Sequence, residues 1–336
     1  MRKYNVAIVG ATGAVGQELL KILAERSFPY GRLSLLASER SEGKTITFQG
    51  REHQVRATTT DSFEGVDIVL FAGGSAAVEF APAAVKAGAV VIDNGSSFRY
   101  DDAVPLVVPE VNPEDVRWHQ GIIANPNCST IQMVVALKPL HDAARIKRVV
   151  VSTYQAVSGA GLPGLHELER QAADITAGRA VKVEAFQHQI AFNLIPQIDK
   201  LQDNLYYREE MKMVWETQKM LHDPHIRVCA TCVRVPVFRS HSESVNVETE
   251  RKLSVEETRE LLRNAPGVKV IDDPAASEYP MPFYTCDTDD VYVGRIREDI
   301  SCDNGIAMWV VADQIRKGAA TNAIQIAELL VKEGLV

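Results

Sequence analysis

Apolar residues in the first third of the chain gather in short runs separated by segments of helical spacing. Asn5 to Val9 (NVAIV) reads as a buried strand and Gln17–Arg26 as a helix. Arg32–Ala37, Val66–Ala72, Ala89–Ile92, Val104–Val108 and Gly121–Ile123 repeat the strand composition, and Ala76–Ala87 reads as a helix of small residues. Strands alternating with helices predict a mostly parallel sheet here. Beyond Cys128 the pattern changes. An apolar run from Ile131 to Leu140 reads as a helix. Arg148–Tyr154, Arg227–Phe238, Val245–Thr249, Tyr292–Arg297 and Ile306–Ala312 read as strands, with the hairpin signal Asp303-Asn304-Gly305 between the last two. Pro163–Ala177, Tyr207–Leu221 and the amphipathic Leu253–Asn264, capped by Ser254, read as helices, and Gln187–Asp199 as irregular. Asp313–Glu333 reads as one long helix rich in alanine. This second block has an α+β make-up.

Composition narrows the class. A chain of 336 residues, 46% hydrophobic and 24% charged, has the balance of a soluble protein with two domains and a sizeable core. A net charge of −8 gives no global attraction for nucleic acid or anionic membrane. No apolar run is long enough to span a bilayer, and the opening Met1-Arg2-Lys3-Tyr4 shows no signal-peptide pattern. Five cysteines, an odd number in a long chain, fit a reducing compartment, so a cytoplasmic location is expected.

The chemistry centres on Ala124-Asn125-Pro126-Asn127-Cys128-Ser129-Thr130, a turn rich in capping residues before an apolar helix. A thiol at a helix N-terminus is favoured as thiolate. Cys128 is a covalent nucleophile or a small apolar residue in a packed helix start. Gly10-Ala11-Thr12-Gly13-Ala14-Val15-Gly16 sits between a strand and a helix, the context in which glycines admit a pyrophosphate to the helix N-terminus. In Ser38-Glu39-Arg40-Ser41 after the second strand, Arg40 flanked by serines favours a 2′-phosphate, whereas Glu39 favours a ribose hydroxyl. Arg99 is an anion contact or a surface arginine. Glu209 and Lys212, three apart on a helix, are a site pair or a solvated one. Cys229 and Cys232 lack a second ligand pair, so no metal is expected and both read as buried structural cysteines. Arg234, inside an apolar strand, needs a carboxylate or an anionic ligand. His241 follows it and faces the same site or is structural.

With GATGAVG at 10–16, NPNCST at 125–130, QAVSGAG at 155–161, IAFNLIPQID at 190–199 and RVPVFRSHSES at 234–244, the chain resembles the aspartate-semialdehyde dehydrogenases from end to end. The resemblance implies a Rossmann-type domain, residues 1–127, completed by a C-terminal helix, 313–336. It also implies a catalytic and dimerisation domain, residues 128–312, of the glyceraldehyde-3-phosphate-dehydrogenase type. The implied reaction is NADPH-dependent reductive dephosphorylation of L-aspartyl 4-phosphate to L-aspartate 4-semialdehyde, feeding lysine, threonine, methionine and isoleucine synthesis. Implied partners are the small substrate, inorganic phosphate and a second subunit, as a homodimer or a dimer of dimers. Carried over by motif, Cys128 is the nucleophile, His241 the general acid/base with a pKa near the operating pH, and Gln155 the residue orienting the acyl intermediate. Arg234 takes the α-carboxylate, Glu209 the α-amino group, and Arg99, Asn127 and Lys212 the phosphate. Gly10, Thr12, Gly13, Ala14, Val15, Arg40, Ser41, Ser158, Gly159 and Gln314 contact NADP. Two positions depart from the family pattern: Ser240, where many relatives have glycine, and Gln314, where asparagine is common. The rival readings are a sister reductase acting on N-acetylglutamyl phosphate or an acyl-CoA, and a relative kept for binding alone. The joint presence of Cys128, Gln155, Arg234 and His241 argues against the latter.

Overall fold

The computed structural model describes residues 2–336; Met1, part of the opening read as leaderless, lies outside them. The chain divides into two compact units, Met1–Asn127 with Ala319–Val336, and Cys128–Gly318.

The first unit is built on a seven-stranded sheet. Its strands are β1 (Tyr4–Val9), β2 (Tyr30–Ala37), β3 (Thr45–Phe48), β4 (Arg51–Ala57), β5 (Ile68–Phe71), β6 (Val90–Asp93) and β7 (Ile122–Ala124), in the order β3-β4-β2-β1-β5-β6-β7. All neighbours are parallel except β3 and β4. With β3 set aside, the strands follow the doubly wound order, and sequence direction reverses between β1 and β5. Helices α1 (Ala14–Glu25) and α2 (Ala76–Lys86) connect strands of this sheet. The C-terminal helix Thr321–Glu333 returns to it, placing Ala323, Ile324, Ala327 and Leu330 in one core with Ile8, Leu19 and Leu23.

Three expectations change here. The β3–β4 hairpin, unread in the sequence, turns at Gln49-Gly50, with φ +48° and +74°. Val104–Val108 is not a strand and makes one bridge, Leu106 to Ala124. Pro105 has no N–H to donate, and the Asn112 side chain ties the segment instead, accepting from Val108 N and donating to Leu106 O. The closing helix begins only at Thr321. The Asp313 carboxylate accepts the N–H groups of Ile315 and Arg316, and a π-helical turn over Arg316–Ala320 intervenes.

The second unit has a six-stranded mixed sheet. Its strands are β8 (Ile146–Gln155), β9 (Arg227–Arg234), β10 (His241–Thr249), β11 (Val268–Val270), β12 (Val291–Glu298) and β13 (Gly305–Ala312), in the order β11-β12-β13-β10-β8-β9. Its helices are α3 (Cys128–Ala144), α4 (Gly161–Thr176), α5 (Arg208–Met220), α6 (Val255–Arg263) and the one-turn α7 (Pro282–Thr285). Alternation along β10 puts His241, Glu243, Val245 and Val247 on one buried face, and α3 packs on this sheet. The strand expected over Arg227–Phe238 ends at Arg234, just before Pro236. Of its two cysteines only Cys232 is buried; Cys229, three residues away on edge strand β9, is exposed. None of the five cysteines is in a disulfide.

Candidate active site

Cys128 is the first residue of α3, whose opening turn carries no acidic side chain. The positive end of the helix therefore acts on the thiol with no carboxylate in the helix's own first turn to oppose it. Side chains from Ser129 to Leu137 are buried, which fixes the helix and with it the half-buried sulfur. The π-helical turn after β13 passes the thiol at Gly318. A Cβ there would stand 3.0 Å from the Cys128 Cβ, so the position is kept bare by close approach.

The His241 ring is fully buried, with Nε2 3.5 Å from the Cys128 Sγ. Ala156 N–H donates to Nδ1 at 3.0 Å. Nδ1 is thus an acceptor, and the neutral ring carries its proton on Nε2, toward the sulfur. Burial pushes the imidazole down to about 3, aided by the Arg234 charge and opposed by Glu209. The expected pKa near operating pH is corrected: a ring this deep, beside a guanidinium and with Nδ1 facing an N–H, has no place for a second proton.

The other flank of the thiol is charged. Gln155 and Arg234 are register partners on β8 and β9. Gln155 Oε1 accepts from Thr153 Oγ1 at 3.0 Å, and Nε2 donates to Glu209 Oε1 at 3.0 Å while passing 3.4 Å from His241 Nε2. Lys212, one turn along α5, bridges Glu209 and Asp199 at 2.9 Å each. The pair is buried, which removes the solvated alternative for Glu209 and Lys212. Burial alone would lower the Lys212 pKa, but the Glu209 and Asp199 charges outweigh it and raise it. Arg234 is 6% exposed and donates to Ala156 O at 2.6 Å. Its pKa is lowered by burial, against the fields of Glu209 and Cys128. Gly159 makes room for it, since a Cβ there would lie 2.6 Å from Arg234 Nη1. Six residues singled out in the sequence, Cys128, His241, Gln155, Arg234, Glu209 and Lys212, therefore converge within one unit.

Two family models match the chain: "Semialdehyde dehydrogenase, NAD binding domain" over residues 5–119 and "Semialdehyde dehydrogenase, dimerisation domain" over residues 137–317. The aspartate-semialdehyde dehydrogenase of Aquifex aeolicus (strain VF5) is 60% identical over 338 residues, covering 99% of each chain. The chain belongs to the aspartate-semialdehyde dehydrogenase family. Solved relatives share the fold. Aspartate semialdehyde dehydrogenase II of Vibrio cholerae, complexed with ASA, gives a TM-score of 0.95 at 53% identity over 99% of each chain. The Candida albicans aspartate semialdehyde dehydrogenase with NADP gives 0.79 at 27% identity over 100% of each.

The two departures from the family pattern are joined to each other. Ser240 N–H donates to Gln314 Oε1 at 2.8 Å, and Thr285 Oγ1 donates to the Ser240 hydroxyl at 2.9 Å. Ser240 has φ +72°, the region where glycine is at ease, and these bonds hold a side chain there just before His241. Gln314 Nε2 in turn donates to Ser158 Oγ. In the first unit, Gly10, Thr12 and Gly13 form the turn into α1, and Ala14 and Val15 begin it. No side chain caps α1, and its first turn has no acidic residue. Thr12 Oγ1 lies 3.4 Å from Ser41 Oγ. A crevice of about 540 Å³ opens beside them, lined by Gly10, Ser38, Glu39, Arg40, Thr58 and Gly73. A concave site at an uncapped helix N-terminus, with Arg40 and Glu39 in its lining, fits a nicotinamide dinucleotide. Arg99 follows β6, is buried rather than a surface arginine, and donates to Asn94 O at 2.8 Å. Asn127 directly precedes Cys128. Sequence reasoning missed Asp199, Thr153 and Gly318. Strand alternation would have put Thr153 on the Gln155 face; Asp199 and Gly318 leave no local signal.

Proposed function

We propose that the protein makes L-aspartate 4-semialdehyde from L-aspartyl 4-phosphate with NADPH, releasing phosphate, in the synthesis of the aspartate-derived amino acids. The observation that carries this reading is a buried cation, Arg234, within the field of a buried anion, Glu209, in the same unit as a helix-start thiol, suited to the two charges of an α-amino acid. The first unit holds NADP through Gly10 to Val15, Ser41 and Arg40, and the second unit, with its dimerisation-domain match, works as a homodimer. Ser158, Gly159 and Gln314 contribute to NADP binding, and Arg99, Asn127 and Lys212 receive the phosphate.

The Cys128 thiolate adds to the acyl phosphate carbonyl. Backbone N–H groups at the start of α3 and the Nε2–H of His241 stabilise the oxyanion. Phosphate departs and a thioester remains, oriented by Gln155. Bound NADPH supplies the hydride. The resulting thiohemiacetal oxyanion collapses to aldehyde and thiolate, so the sequence returns to its start with no proton left on the enzyme. A neutral His241 that donates a hydrogen bond meets this need without a titratable pKa near neutrality. The test is a spectrophotometric assay with aspartate semialdehyde, phosphate and NADP or NAD, for wild type and Arg40→Ala. Turnover with NADP, and a KM for NADP that rises in Arg40→Ala far more than the KM for NAD, is expected. No turnover with either cofactor overturns the proposal.

A further inference from the structure

One buried acid is left unused by this chemistry. Glu243 lies two residues after His241 on the same face of β10 and is 0% exposed. Its cross-strand neighbours are Thr153 on β8 and Val310 on β13. Thr153 Oγ1 is directed to Gln155. Neither carboxyl oxygen meets a hydrogen-bond donor. The polar side chain that acts on it is Gln132 on α3, and that contact opposes the rise in pKa that burial causes. The orientation of that amide is set from its other end, because Gln132 Nε2 points to His241 O at 3.4 Å. Its Oε1 is buried and likewise meets no donor. Buried acceptors that meet no donor are costly unless one of them carries a proton, and of this carboxyl and this amide oxygen only the carboxyl can.

The positions have a simple geometry. Cys128 and Gln132 are four apart on α3, and His241 and Glu243 two apart on β10. Four helical residues rise about 6 Å and two strand residues about 6.7 Å. The same helix and strand are therefore joined twice at nearly matched spacing, once by thiol and imidazole and once by amide and carboxyl. We propose that Glu243 is a positioning residue for the Cys128–His241 pair: as a neutral acid it donates its proton to Gln132 Oε1 and clasps α3 to β10 one step behind the reacting groups. Burial raises its pKa well above the usual carboxylate range, in keeping with that role.

The proposal rests on Cys128–His241 as the reacting pair, so its test has arms that do not need turnover. Glu243→Gln keeps the size and an N–H donor; Glu243→Met keeps the approximate size and has none. In the semialdehyde assay, Glu243→Gln retains kcat within about threefold, whereas Glu243→Met loses roughly tenfold or more, the scale of a displaced reacting group. The KM for the aldehyde changes little in either, since Arg234 and Glu209 are untouched. Iodoacetamide alkylation of Cys128 follows the same order. The infrared spectrum of the wild type at pH 7 contains a protonated-carboxyl carbonyl band that Glu243→Gln lacks. Thermal melts establish that the variants are folded; if Glu243→Met does not fold, the infrared band and Glu243→Gln decide. Equal loss in both variants, wild-type kcat and alkylation in Glu243→Met, or absence of the band each overturns the proposal. Failure of the wild type in the semialdehyde assay, with the infrared and alkylation results intact, would reject the assigned reaction and leave the clasp standing.

Discussion

Cys128 is flanked by two regions of equal depth and opposite character. On the α5–β9 side, Glu209 is 5% exposed, and its carboxylate meets Lys212 and Gln155 as donors. On the α3–β10 side, Glu243 is 0% exposed, and neither of its carboxyl oxygens meets a hydrogen-bond donor. His241 on that side has a backbone N–H at its second nitrogen. Burial is the same in kind, so the partners make the difference: an ammonium and an amide N–H meet one carboxyl, while no donor meets the other, whose pKa burial raises. The charged side suits reading a zwitterion, and the neutral side suits stabilising an oxyanion without storing a proton.

The largest effect expected is at the point shared by both sides. Cys128→Ala should lower kcat by several orders of magnitude, as loss of a covalent nucleophile does, with the fold kept, as read by stopped assay and circular dichroism. Wild-type rates in that variant would remove the covalent mechanism altogether. Next comes the charged side. Arg234→Leu should cost about 2–5 kcal/mol in kcat/KM, because it leaves the substrate carboxylate without its fork. Arg234→Lys should not recover it, since a point charge lacks the bidentate geometry. Glu209→Gln should weaken rejection of N-acetylated analogues. Equal use of free and N-acetylated substrates by the wild type would favour the sister-reductase reading. The neutral side follows. His241→Leu should lower kcat roughly 100-fold, the scale of one lost oxyanion donor. His241→Gln, which can present an N–H, should lower it less, and the wild-type rate should show no limb from an imidazole near pH 6–7. Such a limb, absent in His241→Gln, would restore His241 as a proton shuttle.

The two regions were also unequally legible. In the first unit each strand, turn and helix is a local pattern, so GATGAVG could be placed at a strand–helix junction before any fold was known. What failed there failed for local reasons. Valine and leucine made Val104–Val108 look like a strand although Pro105 lacks a ladder N–H, and the β3–β4 hairpin carries Gln-Gly rather than a stronger turn signal. In the second unit, Cys128, Gln155, Glu209, Arg234 and His241 come from five elements whose meeting depends on the β8–β9 register and the packing of α3 and α5. Spacing in the chain holds no record of that, so their roles came through resemblance. The resemblance in turn said nothing of the partners that fix charge. Ala156 acts through a backbone N–H, Asp199 comes from an irregular segment, and Gln132 looked like one polar residue in an apolar helix.

The last prediction concerns stability, where the neutral side sets a sign. His241 has its folded pKa lowered from 6.5 to about 3, so from about 3 to 6.5 the unfolded chain binds a proton that the native one does not. Stability from this group is fully present above 6.5 and is lost as pH falls. Glu243 has its pKa raised well above 4.5, so above that value the native chain keeps a proton that the unfolded one releases. Its contribution is full below 4.5 and declines as pH rises. Between pH 4.5 and 6.5 the two slopes oppose and nearly cancel. Glu243→Gln removes one of them. Its stability relative to wild type, from urea midpoints at pH 5, 6, 7 and 8, should therefore climb by at most about 1.4 kcal/mol per pH unit, one proton's worth, until the folded Glu243 itself ionises. Other titrating groups are common to both proteins and drop out of the difference. Parallel profiles for the two would mean that Glu243 gives up its proton in the native state as readily as in the unfolded one, and the distinction between the two sides of Cys128 would fall with it.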